Sequence, residues 1–86
     1  MVQECVVVKT KAGLHLRPAT EFCNKALQYP CKIELIKGVK TANAKSLLSV
    51  LACQIKEEEQ ITIVCDGEEE EKALEAMKEL LREGLV

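Results

Sequence analysis

Apolar residues along this chain switch repeatedly between alternating and three-to-four spacing. Val2 to Lys9 contains the run Cys5-Val6-Val7-Val8, whose β-branched content predicts a strand. A polar loop from Lys9 to Gly13 follows. Leu16, Ala19, Phe22, Cys23, Ala26 and Leu27 then recur at helical intervals and predict one buried face of a helix. Pro18 suits its first turn, where no intrahelical N–H is needed. The helix must end before Tyr29-Pro30, because a residue preceding proline is pushed out of helical geometry.

Cys31, Ile33 and Leu35 alternate with charged residues, predicting a half-buried strand. Lys37-Gly38 marks a turn, and Val39 to Ala42 returns as a hairpin partner. Leu47 to Cys53 reads as a short helix capped near Ser46. Ile61 to Cys65 is a further strand, broken by Asp66-Gly67. Ala73, Leu74, Met77, Leu80 and Leu81 form the stripe of a last helix, with Gly84 as its stop signal. The order β-α-β-β-α-β-α predicts an α+β fold, with helices on one face of a largely antiparallel sheet and solvent on the other. No repeat or linker interrupts it, so a single domain over residues 1–86 is expected.

Size and composition narrow the function. A chain of 86 residues buries only roughly 60% of the surface its unfolded form exposes, which leaves little room for an enclosing cleft. Chemistry is therefore expected on a surface that a partner completes. Twelve basic residues against 14 acidic ones give a net charge of −2, and Phe22 and Tyr29 are the only aromatics, which argues against nucleic acid. The five cysteines, Cys5, Cys23, Cys31, Cys53 and Cys65, are odd in number and lack a C-x-x-C pair. They read as small buried hydrophobes in a reducing compartment, with no metal site and no cofactor. With neither a basic-then-apolar leader nor an apolar run of spanning length, the expectation is a cytoplasmic protein without membrane insertion.

The single histidine is where chemistry concentrates. His15 lies in Gly13-Leu14-His15-Leu16-Arg17-Pro18-Ala19, at the start of the first helix. Helix N-termini favour carboxylates, as in Glu68-Glu69-Glu70-Glu71 at the expected start of the last helix, yet here His15 and Arg17 occupy the equivalent place. Glu21, about a turn further in, follows the ordinary rule. An arrangement of this kind can await an external anion: a phosphoryl group on the imidazole would meet the main-chain N–H groups of Leu16 and Arg17 and the Arg17 guanidinium. His15 as a plain cap and Arg17 as a solvated charge is the other reading of the same residues.

Ser46 is a favoured N-cap residue, and a phosphate there would also gain from the helix dipole. Leu47, Leu48, Val50, Leu51 and Ala52 offer more apolar positions than one buried face can use, so Leu47, Leu48 and Leu51, with Thr20, form a candidate docking patch. The run Lys56-Glu57-Glu58-Glu59 reads as a solvated loop.

The two segments Gly13 to Ala19 and Asn43-Ala44-Lys45-Ser46-Leu47-Leu48, at this separation, resemble the HPr family of bacterial sugar phosphotransferase systems. The resemblance spans essentially the whole chain. It implies an open-faced β-sandwich, a four-stranded antiparallel sheet covered on one side by three helices. It also implies a phosphocarrier and not an enzyme, in which His15 takes a phosphoryl group on Nδ1 from enzyme I, charged by phosphoenolpyruvate, and passes it to IIA domains of sugar permeases; a monomer is the simplest expectation for a carrier that exposes one site to successive partners. Arg17 assists on this reading, and Ser46 matches a serine phosphorylated by HPr kinase/phosphorylase in Gram-positive relatives, whose phosphoserine form joins a catabolite-control repressor. A regulatory-only paralogue is the alternative, although such paralogues typically lack the histidine. Leu16 stands where a small residue is usual, and Leu47-Leu48 replaces an isoleucine-methionine pair.

Overall fold

Strand register determines which residues of this chain meet the helices. The computed structural model describes residues 1–11 and 13–83 and contains β1 (Val2–Val7), α1 (Leu16–Ala26), β2 (Lys32–Lys37), β3 (Lys40–Asn43), α2 (Leu47–Ala52), β4 (Gln60–Asp66) and α3 (Glu70–Glu83). The expected stop at Gly84 lies outside the described residues. The strands form one sheet in the order β1-β4-β2-β3, antiparallel at every junction. Three helices accompany this open four-stranded sheet in the predicted α+β order.

Pairing of Glu4 with Ile63, Leu35 with Ile63 and Leu35 with Ala42 puts these residues in one row on the helix-facing side. Val6 and Ile61, and Val2, Cys65 and Ile33, make the neighbouring rows. Phe22 from α1, Val50 from α2 and Met77 and Leu81 from α3 close over them with no side chain more than 1% exposed. Burying a large apolar side chain contributes about 1.5–3 kcal/mol, so this layer supplies most of the folding drive.

Glu4 is a charged residue on the inner face. It is met by Lys78 of α3, whose Nζ lies 2.8 Å from Glu4 Oε1 and 3.0 Å from Glu75 Oε1. The Lys78 side chain is 8% exposed, and both carboxylates hold its pKa above the ordinary lysine range. The pair joins α3 to the edge strand β1.

Register also corrects several expectations. Cys5 belongs with Gln3 and Val7 on the open face, so it is exposed, while Cys23, Cys31, Cys53 and Cys65 are buried as expected. The apolar run Cys5 to Val8 hides this alternation. Leu16 and Leu27 lie at the two ends of α1 beyond its buried stripe of Pro18, Ala19, Phe22, Cys23 and Ala26, and they are 62% and 61% exposed. The last helix begins at Glu70 and not at Glu68, because Gly67 and Glu69 take positive φ values of 129° and 62°. Glu70 Oε1 accepts the Gly67 N–H at 2.9 Å and closes that first turn.

Candidate functional site

Gly13 places the one histidine. Its φ of +79° lies in the left-handed region, and a Cβ there would collide with the Ile55 carbonyl oxygen and fall 2.6 Å from the Lys56 Cα. Only glycine lets the turn before α1 press against the loop after α2. The Gly13 N–H donates to Thr10 O and the Leu14 N–H to Ile55 O, both at 2.9 Å, and Leu14 anchors the turn in the core.

His15 follows as the N-cap of α1, in extended geometry with φ −83° and ψ −172°. Its carbonyl accepts the Ala19 N–H at 2.9 Å, but its ring makes no capping hydrogen bond. A side chain at this position ordinarily accepts from the second or third helical N–H. The third residue is Pro18, which has none, so Leu16 and Arg17 carry the first-turn donors without an intrahelical acceptor. No acid occupies the first turn of α1. Arg17 is exposed beside it, so an anion at the His15 ring would meet two N–H groups, a helix dipole and a guanidinium.

The loop after α2 forms a shallow groove with this turn. Leu14, His15, Leu51, Gln54, Ile55 and Lys56 line it. Gln54 adopts φ +52°, its N–H donates to Leu51 O at 3.1 Å, and its carbonyl accepts Lys37 Nζ at 2.7 Å. Glu59 Oε1 accepts the Lys56 N–H at 2.7 Å and lies 3.0 Å from Lys37 Nζ. Those contacts hold the Glu59 carboxyl below the usual carboxylate range, the Lys56 N–H first and the Lys37 ammonium next. Gln54 and Lys56 were absent from the expected site because their approach to His15 runs through tertiary contacts. The glycine at position 13 was the one signal that something packs close there.

Of the expected docking residues, Leu51 reaches the groove with His15. Leu47 and Leu48 occupy the first turn of α2 outside it, Leu47 half-buried and Leu48 80% exposed. Thr20 Oγ1 donates to Leu16 O at 2.7 Å, one turn back along α1. Ser46 is the N-cap of α2, as expected, and its Oγ accepts the Ser49 N–H at 3.3 Å. Among the described residues no group of histidine, cysteine and acidic side chains is placed to hold a metal, and no helix is long and apolar enough to cross a membrane.

Comparison with known proteins places the chain in a family. The family described as PTS HPr component phosphorylation site matches residues 2–83. The phosphocarrier protein HPr of Mycoplasma capricolum is 33% identical over 81 residues, covering 94% of this chain and 91% of that protein. The crystal structure of the phosphocarrier protein HPr from Bacillus anthracis superposes with a TM-score of 0.91 at 38% identity, covering 93% of this chain and 95% of that one. The HPr-like protein Crh of Bacillus subtilis is 34% identical over 83 residues, covering 96% and 98% of the two chains. Its crystal structure, described as a domain-swapped dimer, superposes with a TM-score of 0.79 over 100% of this chain and 99% of that one, at 32% identity. The chain belongs to the HPr family of the phosphotransferase system.

Proposed function

We propose that this protein is a phosphocarrier whose transferable group is borne by His15. The observation that carries the reading is the exposed imidazole at the N-cap of α1, unengaged by its own helix and next to the N–H groups of Leu16 and Arg17. An attacking ring nitrogen uses its lone pair on phosphorus while the P–N bond of the donor, phosphorylated enzyme I, breaks and returns its electron pair to the donor ring. Each ring keeps a proton on its other nitrogen, so the exchange is balanced and nearly symmetric. Leu16 N–H, Arg17 N–H and the Arg17 guanidinium then hold the phosphoryl oxygens. Hydrogen bonds to charged groups contribute about 1.5–3 kcal/mol each, enough to orient the group while leaving it transferable.

The same face passes the group to IIA domains of sugar permeases, with Leu47, Leu48, Leu51 and Thr20 in the contact. The protein acts as a cytoplasmic, single-domain monomer over residues 1–86, without cofactor, metal, nucleic acid or membrane insertion. It is a substrate of enzyme I and no catalyst itself. Ser46 is the regulatory site, phosphorylated by HPr kinase/phosphorylase and read by a catabolite-control repressor.

Incubation with enzyme I and phosphoenolpyruvate, followed by intact mass, tests the reading. One acid-labile phosphoryl group on the wild type and none on His15→Ala is expected. An undiminished adduct on His15→Ala would overturn it.

The likeness to Crh favours a second reading, a regulatory paralogue acting through Ser46 alone. Under it the protein takes phosphate from HPr kinase and ATP but none from enzyme I. The presence of His15 weighs for the carrier. Light scattering decides between the monomer and a dimer like that described for Crh.

A further inference from the structure

The groove beside His15 contains a cation that the sequence pattern had assigned to a solvated loop. Lys56 lines it together with His15, Leu14, Leu51, Gln54 and Ile55. Its main chain is not free to drift. Gly13 abuts the Lys56 Cα, Leu14 N–H is bonded to the preceding carbonyl, and Glu59 holds the Lys56 N–H. The backbone of Lys56 is thus clamped to the turn that delivers His15, while its side chain is exposed.

The Lys56 ammonium is not locked into an ion pair among the described residues. Glu59 spends one oxygen on the Lys56 N–H and on Lys37 Nζ, and the Lys56 charge adds only the last of the contributions that lower its pKa. Glu58 is taken by Lys9, at 3.1 Å. A four-carbon stem gives the ammonium a wide sweep across the groove.

We propose that Lys56 is a second cationic contact for the phosphoryl group on His15, supplied by the loop after α2 where Arg17 is supplied by α1. This inference rests on the reading of His15 as the phosphoryl-bearing residue. A dianion at the ring gains from a second cation, and the gain is larger for the doubly charged form than for the singly charged one. Lys56 therefore favours the dianion.

Phosphoramidate loads histidine without any protein partner: the P–N bond of the reagent breaks with loss of ammonia as the imidazole P–N bond forms. The phosphoryl group of the loaded protein is then titrated by phosphorus NMR. Relative to wild type, Lys56→Met should raise the pH at which the phosphoryl group takes up its proton by about half a pH unit, the size expected for one nearby charge in a solvated setting. Lys56→Arg should restore the wild-type value, which a merely structural role of the side chain would not require. An unchanged titration in Lys56→Met, with His15→Ala refusing the group, overturns the role of Lys56 and leaves His15 as the carrier. Equal loading of His15→Ala and wild type overturns both.

Discussion

The Leu14 N–H donates to the Ile55 carbonyl at 2.9 Å, tying the residue before His15 to the loop that leaves α2. Residues 41 apart in sequence thus share one wall, and the close approach requires glycine next door. Gly13→Ala would force a Cβ against the Ile55 carbonyl in a left-handed conformation. It should destabilise the fold by about 3 kcal/mol or more, as steric conflict and backbone strain add. Denaturant melts measure this, and phosphoryl acceptance at His15 should fall with it.

Glu59 links this wall to acid stability. Its folded pKa lies below the ordinary carboxylate value, so its contribution is present above the unfolded pKa and is lost as pH falls through the folded one. Thermal melts from neutral pH downward should show stability declining below the ordinary carboxylate range. Glu59→Gln should flatten that part of the profile, and an unaltered acid limb would show that Glu59 contributes nothing to it.

The halves of this site were unequally legible in the sequence. The His15 side was readable because Leu16 to Ala26 carry helical spacing and Pro18 marks the first turn, both local signals. The Gln54 to Lys56 side was not, since Lys56 sits in a charged run and its place depends on long-range closure. In the same way Ile33 and Leu35 declared their inward face by alternating with charges, while Cys5 was hidden in a continuous apolar run. Leu16 and Leu27 fit the helical period yet fall beyond the ends of the buried stripe, a limit that periodicity does not encode.

Thr10 carries a cost in the same turn. It is 0% exposed, and its hydroxyl has no hydrogen-bond partner among the described residues. Thr10→Val keeps the shape and removes the unsatisfied group, so it should stabilise the protein by about 1 kcal/mol. A domain of this size would then melt roughly 4–8 °C higher. A lower melting temperature would mean that the hydroxyl is satisfied in solution.

The thiols should behave unequally. Cys5 is exposed, whereas the other four are buried, and burial pushes the Cys65 thiol up to about 11, with Cys31 beside it adding to the rise. An aromatic disulfide reagent at pH 8 should titrate one thiol in the native protein and five after denaturation. Cys5→Ser should abolish the native reaction.

A carrier must both receive a phosphoryl group at His15 and give it up. The most direct measurement loads the protein with labelled phosphate from phosphoenolpyruvate and enzyme I, removes the enzyme, and adds a IIA domain. Label should leave His15 and appear on the IIA domain in equal amount, with none carried by His15→Ala. Label that never attaches to His15, or that stays there in the presence of IIA domains, would rule out the relay.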